Sequence, residues 1–152
     1  MIQLRPAKRE DVAVILELIK GLADYEKAPD EVTNTVESLE SDIFEKELCE
    51  AIVADEDGKI IGFAIYYTSY STWKGPCIYL EDLYVLPDKR NLKAGSQLFD
   101  SVVKIAQERG VERMDWQVLE WNQLAIDFYE RKGATLDPEW LNGRLFFGPK
   151  PK

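Results

Sequence analysis

The pattern of apolar residues predicts an α/β (α+β) fold, a mixed sheet with helices on its faces. Three observations carry this. Apolar residues repeat at helical spacing through residues 8–25 and 93–109. Runs rich in Ile, Val, Tyr and Phe fill 50–67 and 77–85. Short turns join some of these runs, while one strand, helix, strand succession needs a parallel crossover.

Ile2 to Arg5 reads as a first strand, stopped by Pro6. In Lys8 to Tyr25 the stripe Val12, Ile15, Leu16, Ile19, Leu22 and Ala23 predicts a helix. Asp24 to Asn34 is a loop broken by Pro29. Thr35 caps a second helix running to about Lys46, with Glu37 and Ser38 in its first turn. Glu50 to Ala54 and Lys59 to Tyr67 form a hairpin, and Asp57-Gly58 supplies its two positive-φ residues. Cys77 to Val85 is the most β-prone run and ends at Pro87. Lys93 to Arg109 turns Leu98, Val102, Ile105 and Ala106 inward, with Gly110 past its end. Arg113 to Leu119 is a further strand, Asn122 to Arg131 a short helix, and Arg144 to Phe147 a last strand candidate.

At 152 residues the expectation is a single domain, 1–152. No apolar stretch reaches the roughly 20 residues that span a bilayer, and no secretory leader is apparent, so the expected location is cytoplasmic, away from membranes. Cys49 and Cys77 are then reduced thiols. Histidine is absent. That excludes Ser-His-Asp and Cys-His catalysis and any His-based metal site, and no metal is expected. Between Asp24 and Asp57 stand 13 acids against two bases, Lys27 and Lys46, within a net charge of -9. Such a field attracts cations and repels phosphate backbones, so nucleic acid is excluded as a partner.

Three constellations bear chemistry. Glu81-Asp82 interrupts an otherwise apolar strand. Carboxylates are rare there unless paired or functional, and alternation puts the two on opposite faces. Next, the strand runs through a basic turn, Pro87 to Leu98, into a helix, a recurrent anion site. With one glycine it is neither a Walker loop nor a dinucleotide fingerprint. The third is Glu120-Trp121-Asn122-Gln123 followed by Phe128-Tyr129 and Arg131-Lys132-Gly133-Ala134.

In this order and spacing the chain resembles the GCN5-related N-acetyltransferase (GNAT) superfamily over nearly its whole length, and within it the spermidine/spermine, diamine and thialysine enzymes. The closest stretches are Leu18 to Glu26, Ile61 to Tyr67, Tyr79 to Val85 and Glu120 to Tyr129. The resemblance implies a mixed, mostly antiparallel sheet of six to seven strands with about four helices. It also implies transfer of acetyl from acetyl-CoA to a small cationic amine, a polyamine or diamine, by direct attack, in a homodimer. By resemblance, backbone groups of Leu83, Tyr84 and Val85 pair with the pantetheine arm. Arg90, Asn91, Leu92, Lys93, Ala94, Gly95 and Ser96 hold the pyrophosphate. Asn122, Gln123, Leu124 and Ala125 touch the cofactor further along. Tyr129 is the general acid and Glu81 the base, through water. Asp82, Tyr25 and Glu26 hold the amine, with Glu81 beside them. The alternatives are thialysine or another amino-acid-like amine as substrate, or a catalytically silent acyl-CoA-binding module.

Two departures stand out. The family's phosphate loop carries glycine where this chain has Lys93, and acetyl-CoA binding is expected to survive the change. The sequence ends in Gly148-Pro149-Lys150-Pro151-Lys152 where polyamine enzymes continue into a longer dimer-forming arm. Glu139 lies out of register with the acidic substrate residue of that arm.

Overall fold

In the computed structural model, which describes residues 1–148, five strands pair in chain order. The tail 149–152 lies outside the described residues. The chain divides into two compact units, Met1–Trp116 and Gln117–Lys152.

The first unit holds the sheet. Its strands are β1 Ile2–Pro6, β2 Glu50–Glu56, β3 Lys59–Ser71, β4 Gly75–Val85 and β5 Met114–Asp115. The first four pair antiparallel, and β5 pairs parallel with β4. Helix α1 (Val12–Tyr25) buries Val12, Ile15, Leu16 and Leu18, part of the predicted stripe. It follows a 3-10 turn, Arg9–Asp11, in which the Asp11 carboxylate accepts from Arg5 Nη1 at 2.7 Å and from Lys8 N–H at 2.8 Å. The Arg5 guanidinium holds that carboxyl below its usual range. Helix α2 (Val36–Phe44) starts at the predicted cap, where Thr35 Oγ1 accepts from Ser38 N–H at 3.2 Å. The Asp57-Gly58 turn has φ of 51° and 94°, as such a hairpin requires.

Side chains of one alternation set, Ala51, Val53, Phe63, Ile65 and Tyr84, make a core with α1 and α2. Helix α3 (Ala94–Glu108) packs on the opposite alternation set and buries Leu98, Phe99, Val102 and Ala106. Gly62 belongs to that set. A Cβ there would stand 2.9 Å from the Tyr84 carbonyl oxygen, 2.9 Å from Val85 Cγ2 and 3.3 Å from Leu98 Cδ1. Glycine is therefore a packing requirement where β3, β4 and α3 meet. Gly62→Ala is expected to lose about 2 kcal/mol, a melting temperature lower by about 4–8 °C in calorimetry.

The second unit holds helix α4, Gln123–Arg131, which completes the expected four. The strand count is lower than expected, five among the described residues rather than six to seven. The segment Arg113 to Leu119 narrows to Met114–Asp115 because pairing with β4 stops at Tyr79. Residues 144–147 form no strand. Leu145 is 82% and Phe147 95% exposed, so neither apolar burial nor a neighbouring strand holds that segment extended. In contrast β3 and β4 run on to Ser71 and from Gly75, a longer hairpin than the apolar pattern marks.

Candidate functional site

The register of β3 against β4 slips once. Tyr67 pairs with Tyr79, Tyr66 with Leu80 and Ile65 with Asp82, so Glu81 is an extra residue with no partner. This β-bulge overturns the expectation that Glu81 and Asp82 face opposite ways. Asp82 pairs with Ile65, which lies in the core under α1. Burial first, and then the charge of Glu81, raises the pKa of Tyr67 and Tyr79, and Glu81 adds last to the burial and acidic neighbours that raise Cys49, all groups on that same face. The inserted residue thus brings both carboxylates to one side of the sheet.

Glu26, just past the end of α1, supplies a third carboxylate. Burial raises its pKa. Asp82 is pushed up to about 7, first by burial and then by the charges of Glu81 and Glu26. Glu81 itself is exposed. Within this unit no Lys or Arg stands at ion-pair distance from any of the three. Three crowded carboxylates without a cation suit a ligand that brings positive charge or a proton to give up.

Among the described residues, the far edge of β4 beyond Tyr79 has no strand beside it. Leu86 N–H donates to Ile61 O at 2.9 Å, and Ile78 N–H donates toward β5, to Arg113 O at 3.1 Å. With the bulge between them, alternation turns the backbone groups of Leu83 and Val85 to the open edge. Tyr84 stands between these two, and its ring packs on α1. A Cβ at Gly21 would be 3.0 Å from the Tyr84 hydroxyl.

The following turn, Pro87–Leu92, is a 3-10 segment that ends at Lys93 with φ 62° and ψ 17°. This left-handed conformation accounts for the glycine that the family places there. The α3 ladder opens with Gln97 N–H donating to Lys93 O at 3.1 Å. The N–H groups of Ala94, Gly95 and Ser96 precede it, as in helix-start anion sites. Lys93, Asn91 and Leu92 are exposed. Lys93→Gly is expected to relieve the strained backbone by about 1 kcal/mol or less, net of the looser unfolded chain, and to raise the melting temperature by about 1–3 °C. Arg90 turns toward α1. Its Nε donates to Val85 O at 3.1 Å, and its guanidinium lies 5.1 Å from the Tyr25 ring centroid and 5.6 Å from that of Tyr84.

In the second unit Asn122 is buried and caps α4, its Oδ1 accepting from Ala125 N–H at 3.3 Å. Gln123 Nε2 donates to Asp127 Oδ1 at 2.7 Å, and Leu124 is exposed. Tyr129 is buried, edge-on to Phe128 at 5.3 Å, and its carbonyl accepts from Ala134 N–H at 3.1 Å. A hollow of about 400 Å³ in the first unit, between Pro6, Phe44, Cys49, Tyr66 and Ile105, contains none of the predicted site residues. Sequence reasoning missed Tyr67 and Tyr79, whose rings pack 5.3 Å apart near Glu81. Their ordinary strand alternation carries no chemical signal.

A profile of the acetyltransferase (GNAT) family matches residues 15–134. Thialysine N-ε-acetyltransferase of Bos taurus is 39% identical over 142 residues, 88% of this chain and 84% of the relative. Spermidine/spermine N(1)-acetyltransferase-like protein 1 of Homo sapiens is 34% identical over 140 residues, 87% of this chain but 20% of that longer protein. Among solved structures, an aminoglycoside acetyltransferase from an uncultured soil metagenomic sample superposes with a TM-score of 0.79 at 18% identity over 97% of each chain, a likeness of fold.

Proposed function

The chain belongs to the acetyltransferase (GNAT) family and is an N-acetyltransferase, and from that premise we propose that it moves acetyl from acetyl-CoA to the primary amine of a small cationic substrate, a polyamine or diamine. The observation that carries this reading is the bulge at Glu81, which gathers Glu81, Asp82 and Glu26 beside the open edge of β4.

The residues present suit acetyl-CoA, which supplies the reactive thioester. Leu83 offers a backbone donor and acceptor, and Val85 a backbone N–H, to a pantetheine arm along the open edge. The first turn of α3, with Arg90 to Ser96, offers N–H groups and cations to a pyrophosphate. In the second unit, Asn122 to Ala125 extend the cofactor contacts. The two units work as one domain, 1–152.

An alkylamine of pKa about 10 is only about one part in a thousand free base at pH 7, so reaching the nucleophile costs roughly 4 kcal/mol. Glu81 takes the ammonium proton through a water as attack proceeds. Asp82, Glu26 and Tyr25 hold the amine. The new C–N bond forms, the C–S bond breaks, and Tyr129 gives its proton to the departing thiolate. Direct attack needs no acyl-enzyme and no metal. The acetylated nitrogen is neutral, so the carboxylates lose their hold on the product.

A second reading, thialysine or another amino-acid-like amine, is favoured by the 39% identical relative. A thiol-release assay with spermidine, putrescine, lysine and thialysine separates the two. Free CoA is expected with at least one amine, and none with any amine would leave a silent acyl-CoA-binding module. We further place the enzyme in the cytoplasm, as a homodimer. Among the described residues no helix is long and apolar enough to cross a membrane.

A further inference from the structure

We propose that Arg90 is a positioning residue for the amine: its guanidinium fixes Tyr25, and through it Glu26, to the turn that precedes α3. The inference rests on the function proposed above. It begins from how completely the Arg90 side chain is oriented. Nε is committed to Val85 O at 3.1 Å, and the cation lies over two rings, Tyr25 at 5.1 Å and Tyr84 at 5.6 Å. Tyr84 is anchored, being 7% exposed and packed on Gly21 of α1. Gly21, Tyr84, Arg90 and Tyr25 therefore form one stack from the body of α1 to its last residue.

Tyr25 is that last helical residue, and the backbone reverses at Lys27 with φ 64°. Glu26 lies between them, so the direction of its carboxylate toward Asp82 follows the seating of Tyr25. Neither Nη group of Arg90 makes a hydrogen bond within this unit. The edge of the guanidinium can face a phosphate while its plane holds the rings, since the two tasks use different parts of one group. A phosphate on the Nη groups would immobilise the stack, and a seated Tyr25 would hold the arginine ready. By linkage, cofactor and amine should then each strengthen the other's binding.

The test is a double-mutant cycle with Arg90→Ala and Tyr25→Leu, read in amine KM at saturating acetyl-CoA and in acetyl-CoA Kd by calorimetry. Tyr25→Leu should raise amine KM about 3- to 5-fold more when Arg90 is present than in the Arg90→Ala protein. It should weaken acetyl-CoA a few-fold only when Arg90 is present. Tyr25→Phe, which keeps a ring, should retain the coupling. Arg90→Lys, which keeps charge but loses the plane, should lose most of it, and serves if Arg90→Ala folds poorly. Additive effects in both KM and Kd would overturn the inference. If no amine releases CoA, the proposed function fails instead, and the calorimetric cycle alone decides the link between Arg90 and Tyr25.

Discussion

Affinity for the amine is expected to fall about tenfold for each pH unit below about 7. Asp82 has its pKa near 7 through burial and the neighbouring charges of Glu81 and Glu26. Above that pH it is a carboxylate and attracts the ammonium. Below it, a proton occupies the place that the substrate's charge would fill. The substrate's own pKa, about 10, sets the upper limit. Asp82→Asn should abolish this acid limb and weaken binding about 100-fold, the usual scale for deleting one partner of a partly desolvated charge pair. Glu81→Gln should move the limb to lower pH, because it removes a negative charge that holds the Asp82 pKa up. Amine KM measured from pH 5 to 8 reads all three proteins. A flat profile in the unmodified enzyme would remove Asp82 from the amine site.

Tyr129→Phe is expected to lower kcat about 100-fold with little change in amine KM. The substitution removes a hydroxyl and keeps the ring that lies edge-on to Phe128. The defect should shrink above about pH 8.5, near the ordinary pKa of a thiol, because the leaving thiolate then needs no proton. Unchanged kcat at neutral pH would end the assignment of Tyr129 as general acid.

Local chemistry made much of the fold readable in advance. Thr35 announces a cap, Asp57-Gly58 a tight turn, and the stripe from Val12 a helix, because each signal lies within a few residues of its effect. The bulge at Glu81 was not readable. Register belongs to a pair of strands, and nothing in β4 alone says that Ile65 will meet Asp82 rather than Glu81. The segment 144–147 failed for a related reason, since an apolar run becomes a strand only where a neighbour pairs with it. Lys93 stands out in the sequence through the glycine it replaces, and its φ of 62° is the physical reason that glycine suits the position. The contact of Arg90 with the Tyr25 ring joins residues 65 positions apart in the chain, beyond any sequence motif.

The rim of β4 past Tyr79, which pairs with no strand among the described residues, also bears on how the protein keeps in a crowded solution. A sheet edge that lacks a neighbouring strand can recruit stray strands, the first step toward clumping. A thioester ligand lying along that rim would act as a guard rail. Stored without it, the enzyme should cloud sooner on concentration than when supplied with it, even where no catalysis takes place.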